Sequence, residues 1–182
     1  MSSFNVKGLA RLALVAGLSV GMSLSLSACF RPLYGPTASG GSLQTTLASI
    51  EVPEIEWANE QARIGHYLRS ELIYALNGSG MATPKRYVLK LALAQALSTP
   101  VVDAESGRAS SAIVSGTLTY TLTSPDGSKV ITRGTATSSA SYDRFQNRFA
   151  TVRAGRDAEI RLARVLAEQV RTRLSAELSA GS

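Results

Sequence analysis

A single cysteine, Cys29, and a single histidine, His66, stand in 182 residues. The first excludes a disulfide within the chain, and the second leaves no pair of imidazoles for a metal site. Carboxylates number only 13 and are scattered, no glycine-rich phosphate loop follows a strand, and the serines are plentiful but without context. His66 sits away from the apolar stripe of its helix, as a surface residue would. This inventory points to no enzyme, no metal and no cofactor. Long apolar runs are also scarce. The only substantial one, Leu12 to Leu26, is broken by Gly17, Ser19, Gly21, Ser23 and Ser25. At about 1.5 Å per residue it falls short of a hydrocarbon core of about 30 Å, which argues against a permanent span.

That run has another use. Lys7 and Arg11 precede it with no acidic side chain between Met1 and Arg11, the layout of a secretory signal. It ends in Leu26-Ser27-Ala28-Cys29, a branched apolar residue and two small ones before a cysteine, which resembles the lipobox of bacterial lipoproteins. A thiol suits that place because diacylglycerol is attached as a thioether, and an otherwise unpaired Cys29 has anchoring as its natural use. The alternative is an ordinary signal that happens to end near a buried cysteine. Three segments are expected: residues 1–28 as signal peptide, 29–46 as lipidated N-terminus and flexible tether, and 47–182 as one domain. Losing Lys7 and Arg11 leaves 17 basic against 13 acidic side chains. For an exported chain that excess points away from nucleic acid and toward phospholipid head groups or lipopolysaccharide.

Beyond the glycine- and serine-rich stretch 35–46, Ala48, Ile50 and Val52 alternate against Ser49 and Glu51 until Pro53, predicting a short strand over 47–52. Trp57, Ile64, Leu68, Leu72 and Leu76 recur at helical spacing, with Asn77-Gly78 as a left-handed cap. In the next strand Tyr87, Leu89, Leu91, Leu93 and Leu97 face one way while Val88, Lys90, Ala92, Ala94 and Ala96 face the other. Val114, Gly116, Leu118, Tyr120 and Leu122 alternate with serine and threonine up to Thr123. Ser124-Pro125-Asp126-Gly127-Ser128 then turns the chain into a fourth strand of small residues from Lys129 to about Tyr142. A last helix over 152–178 carries a stripe of Ile160, Ala163, Leu166, Ala167, Val170, Leu174 and Leu178, with Val165 off it. The order β-α-β-β-β-α predicts an α+β two-layer sandwich, a four-stranded, mostly antiparallel or mixed sheet with two helices on its bulky face. The other face would be a carpet of Thr, Ser and Ala, either solvated or lying against another β surface.

Basic residues cluster near strand ends. Lys129 and Arg133 open the fourth strand, Lys85, Arg86 and Lys90 stand at or near the start of the second, and Arg108 lies in the connection between Pro100 and Ser111. They are candidate ligands for phosphates and carboxylates, or else simply solvated charges.

After Cys29 comes Phe30-Arg31-Pro32-Leu33-Tyr34-Gly35. Here the sequence resembles the lipopolysaccharide-assembly lipoprotein LptE family, many of whose members begin with a lipidated cysteine, a glycine, and then this phrase; this chain lacks that glycine. The element order is also the family's. The resemblance implies a non-enzymatic lipoprotein on the periplasmic face of the outer membrane, where it plugs and helps fold the LptD β-barrel. Together they would deliver lipopolysaccharide to the surface, with no nucleic acid involved. It further implies lipopolysaccharide binding through basic residues on the sheet. Phe30, Arg31, Pro32, Leu33 and Tyr34 would lie at the bilayer interface or dock to the barrel wall, or serve only as a spacer. The residues alone are also compatible with a free-standing periplasmic ligand-binding or envelope-structural lipoprotein.

Overall fold

The computed structural model describes residues 42–54, 62–78, 80, 82–102 and 107–180. All belong to one compact unit, residues 36–182, while the unit 1–35 lies wholly outside them. Expectations for Cys29, Phe30, Arg31, Pro32, Leu33, Tyr34 and Trp57 therefore fall outside the described residues.

Seven elements follow one another: α1 Leu43–Ala48, β1 Ile50–Glu51, α2 Ala62–Leu76, β2 Tyr87–Ser98, β3 Ser111–Thr123, β4 Val130–Asp143 and α3 Arg148–Ala180. The sheet order is β1-β2-β3-β4. β1 runs parallel to β2 through the α2 crossover, with Ile50 opposite Tyr87, and the other neighbours are antiparallel. This is the expected α+β fold, a mixed open sheet with two helices packed on it and a third, short one added.

The short helix α1 is a correction. It occupies the end of the stretch read as tether and the start of the stretch read as strand. Ser42 caps it, its Oγ accepting from the Thr45 N–H, and Leu43 and Leu47, one turn apart, are both buried. Ala48, Ile50 and Val52 are buried and Glu51 is exposed, so the alternation is real, but only Ile50 and Glu51 form a strand. The cap at Gly78 is a second correction, because its φ is not positive; Gly80 takes the left-handed conformation instead. The last helix starts at Arg148 rather than 152, its end held by Asn147 Oδ1, which accepts from the N–H groups of Phe149 and Ala150.

The core lies between sheet and helices. Ile64, Leu68 and Leu72 of α2, Leu162, Leu166, Val170 and Leu174 of α3, and Leu89, Val114, Leu118 and Leu122 of the sheet are all buried. Each such side chain contributes about 1.5–3 kcal/mol relative to exposure. Tyr120 is buried too, its ring lying across Gly134 on the neighbouring strand, where a Cβ would stand 2.5 Å from the hydroxyl. Leu97, expected on the bulky face, is 62% exposed near the end of β2.

The two helices are locked together by Arg63 and Glu159. Arg63 donates from Nε and Nη2 to the two carboxylate oxygens of the mostly buried Glu159 at 2.5 and 2.6 Å. The hydrogen bonds to Glu159 raise the guanidinium's pKa further. Helix α3 also closes the β4 edge. Arg161 donates to the Ser141 carbonyl at 2.9 Å, Gln169 to that of Thr137 at 3.0 Å, and Arg173 to that of Thr135. All three acceptors share one parity, so they point the same way along the strand.

Candidate functional site

The face of the sheet turned from the helices is polar and made of small residues. Ala92, Ala94, Thr117, Thr119, Thr135, Thr137 and Ser139 are exposed on it. One row across it is charged. Lys90 is in register with Thr121, and Thr121 with Arg133, so the two cations flank a threonine on adjacent strands, with backbones about 10 Å apart.

A bulge makes that row. Leu122 pairs with Thr132 but Thr123 pairs with Val130, leaving Ile131 without an opposite number. In an unbroken ladder continued from Thr123, Arg133 would fall opposite the buried Tyr120. The extra residue moves it opposite Thr121, onto the exposed face.

Arg86 and Lys129 lie at the same end. The backbone N–H of Arg86 donates to the Ser49 carbonyl at 2.9 Å, just before β2, and that of Lys129 to Ser124 Oγ at 3.0 Å, just before β4. The tight turn beside them is itself acidic. Asp126 accepts from Ser124 Oγ at 2.5 Å and from the Ser128 N–H at 3.3 Å, and these bonds, Ser124's first, hold its carboxyl down at about pKa 2. Lys90 Nζ lies 3.9 Å from where a Gly127 Cβ would stand in this turn.

Arg86, Lys90, Lys129 and Arg133 thus gather at one end of the sheet, while Arg108 lies beyond the other. Lys85 is engaged with the backbone, its Nζ donating to the carbonyls of Ala48 at 2.9 Å and Ile50 at 3.2 Å. His66 is exposed, its ring edge-on to Tyr67. Among the described residues, no group of three or more His, Cys, Asp or Glu side chains could hold a metal. A cleft of about 360 Å³ between β1 and α2 is lined by Arg69 and Lys85, and both cations already donate to backbone carbonyls. The charged row can therefore meet anions spread over a surface, such as phosphates borne on a larger molecule, rather than enclose a small substrate.

Two features escaped the sequence. The Arg63–Glu159 pair joins residues 96 apart in the chain, and no local signal marks it. The exposed Phe145 and Phe149 near the start of α3 were legible only as apolar residues before the expected helix.

The sequence profile of the LptE lipopolysaccharide-assembly family matches residues 47–174, most of the chain and every element from the end of α1 into the last turns of α3. The chain belongs to the LptE family. That family is one of lipopolysaccharide assembly. Among solved structures, a lipoprotein from Caulobacter crescentus CB15 superposes with a TM-score of 0.60 at 21% identity, covering 77% of this chain and 97% of that one. That likeness shows a shared fold. Rare lipoprotein B from Shewanella oneidensis, at 14% identity, covers 70% of this chain and 98% of its own with a TM-score of 0.43. No curated protein matches the chain in sequence.

Proposed function

We propose that this LptE-family chain is the lipoprotein subunit of an outer-membrane lipopolysaccharide translocon, acting without catalysis as plug and folding partner of the LptD β-barrel. The observation that carries this reading is the family match over residues 47–174. A flat sheet face of Ser, Thr and Ala supports it, since small side chains permit close approach to a barrel wall. In this reading the signal 1–28 is removed, Cys29 carries the acyl chains, and Phe30 to Tyr34 dock beside them. No aspartate follows Cys29, and release to the outer membrane is proposed on that ground. Lys90 and Arg133, with Arg86 and Lys129 behind them, receive the phosphates of lipopolysaccharide. Arg108, at the far end, is assigned no part in that contact.

Depletion is the decisive experiment. Loss of the protein is expected to leave the barrel misassembled and lipopolysaccharide missing from the cell surface. Normal assembly of both would sink the plug reading and favour a free-standing periplasmic or envelope-structural lipoprotein. For the anion row, Lys90→Glu with Arg133→Glu is expected to lower lipopolysaccharide binding by the isolated domain roughly ten-fold or more, two charge-assisted contacts being reversed. Unchanged binding would remove both residues from the site.

A further inference from the structure

At the end of the sheet opposite the charged row, large apolar side chains stand in the open. Phe149 is 71% exposed, and Leu97, Val101, Phe145 and Val152 are also exposed. They come from four segments, namely β2, the β2–β3 connection, the β4–α3 connection and the start of α3, which the fold brings to one end. The Arg144 N–H donates to the Ser110 carbonyl at 2.9 Å and the Ser110 N–H to that of Val101 at 3.0 Å, which ties the β2–β3 connection to the end of β4. Phe145 is clamped onto the first turns of α3, its N–H donating to Thr151 Oγ1 at 2.9 Å and its carbonyl accepting from the same hydroxyl at 3.0 Å. Leu97 and Val152 line one cleft of about 280 Å³.

Arginines surround this patch. Arg108, Arg144, Arg148, Arg153 and Arg156 are exposed there, and Arg153 lies over the Phe149 ring at 6.0 Å. None takes part in the ion pairs found among the described residues, which join Arg63 to Glu159, Arg161 to Asp157, Arg164 to Glu71 and Arg171 to Glu168. Asp143 adjoins Arg144 and Asp157 adjoins Arg156 in sequence, Asp157 being paired with Arg161, and Asp103 and Glu105 in the β2–β3 connection lie outside the described residues. Arg148 sits in the first turn of a 33-residue helix that has no acid there, where the helix dipole disfavours a cation. An anion outside the protein would relieve that placement.

Exposed phenylalanines beside arginines that form no ion pair among the described residues have the chemistry of a membrane-surface contact, with rings at the acyl boundary and guanidinium groups on the phosphates. We propose that this end of the domain docks onto a bilayer of anionic glycerophospholipid, giving the protein a second membrane contact independent of lipid at Cys29. The charge complementarity of the rim selects a lipid surface of negative sign. The contact belongs to the protein outside any barrel, and it goes beyond the function proposed above without resting on it.

The test uses residues 36–182, the compact unit with its own core, which lacks Cys29 altogether. Co-sedimentation with phosphatidylglycerol vesicles should exceed that with phosphatidylcholine vesicles roughly ten-fold, and each of Arg148→Glu and Arg153→Glu should lower it about five-fold. Phe145→Ser with Phe149→Ser should abolish it, whereas Lys90→Glu with Arg133→Glu, at the far end, should leave most of it. All four side chains of the two double variants are exposed, and unchanged far-UV circular dichroism and melting would establish that the variants fold. Four results would overturn the proposal: no binding to either vesicle, binding insensitive to the phenylalanines, equal loss with the far-end pair, or binding to lipopolysaccharide micelles alone. Neither barrel nor lipopolysaccharide is present in the vesicle assay, so its outcome is separable from that of the depletion experiment.

Discussion

Strand β3 meets the helices with Val114, Leu118, Tyr120 and Leu122 and meets the outside with Ser115, Thr117, Thr119 and Thr121. One strand therefore carries two kinds of constraint in alternate residues. On the inner face each position is filled by a neighbour that cannot retreat. On the outer face Thr117 and Thr119 are exposed, and strand propensity together with solubility decides the choice. Stability and recognition are thereby assigned to opposite sides of the same backbone, and each can be perturbed without the other.

The largest test of that contrast is truncation on each face. Leu118→Ala, at a fully buried position, is expected to cost about 2–5 kcal/mol in chemical denaturation, while Thr119→Ala should stay within about 0.5 kcal/mol. Comparable costs would break the comparison. Gly134→Ala comes next, because its methyl would meet the Tyr120 ring from the adjoining strand; a loss of about 1–3 kcal/mol is expected, and no loss would mean that the ring can shift. Smaller still is Lys90→Glu with Arg133→Glu, which should leave the melting temperature almost unmoved while altering anion binding. Altered melting would tie the outer row to the core after all.

The turn gives the smallest effect. Asp126 has a folded pKa lowered to about 2 from 3.8, so its stabilising bonds are fully present above pH 4 and are lost as the pH falls toward 2. Carboxyl titration by NMR should place the midpoint near 2. Ser124→Ala should bring it back up, since the Ser124 hydroxyl is the largest cause of the shift.

What could be read before the structure was whatever local spacing determines. The β3–β4 hairpin was legible because an unbroken alternation runs into Ser124-Pro125-Asp126-Gly127-Ser128, and Gly127 does take a positive φ of 71° there. The buried face of α2 and most of that of α3 followed from helical periodicity, but Ile160, placed on the stripe, is only half-buried and the fully buried Leu162 was not on it. Helix α1 was hidden because one turn offers only Leu43 and Leu47 as a pattern, beside threonines that favour strands and an alternation that starts at Ala48. The charged row was hidden for another reason. Lys90 and Arg133 are 43 positions apart, and their alignment depends on a single unopposed residue, Ile131, that no turn signal announces. The basic residues were legible as candidates, but their division between two ends of the sheet was not.

The three side chains that α3 lays on the carbonyls of Thr135, Thr137 and Ser141 bear on how copies of the protein behave in company. A bare outer strand is a template on which a second copy can zip, and repeated zipping ends in fibres. Here an incoming strand would first have to evict two guanidinium groups and an amide from their acceptors. Helix α3 thus guards this flank against self-templated growth, so the domain can remain dispersed while its Ser/Thr face stays open.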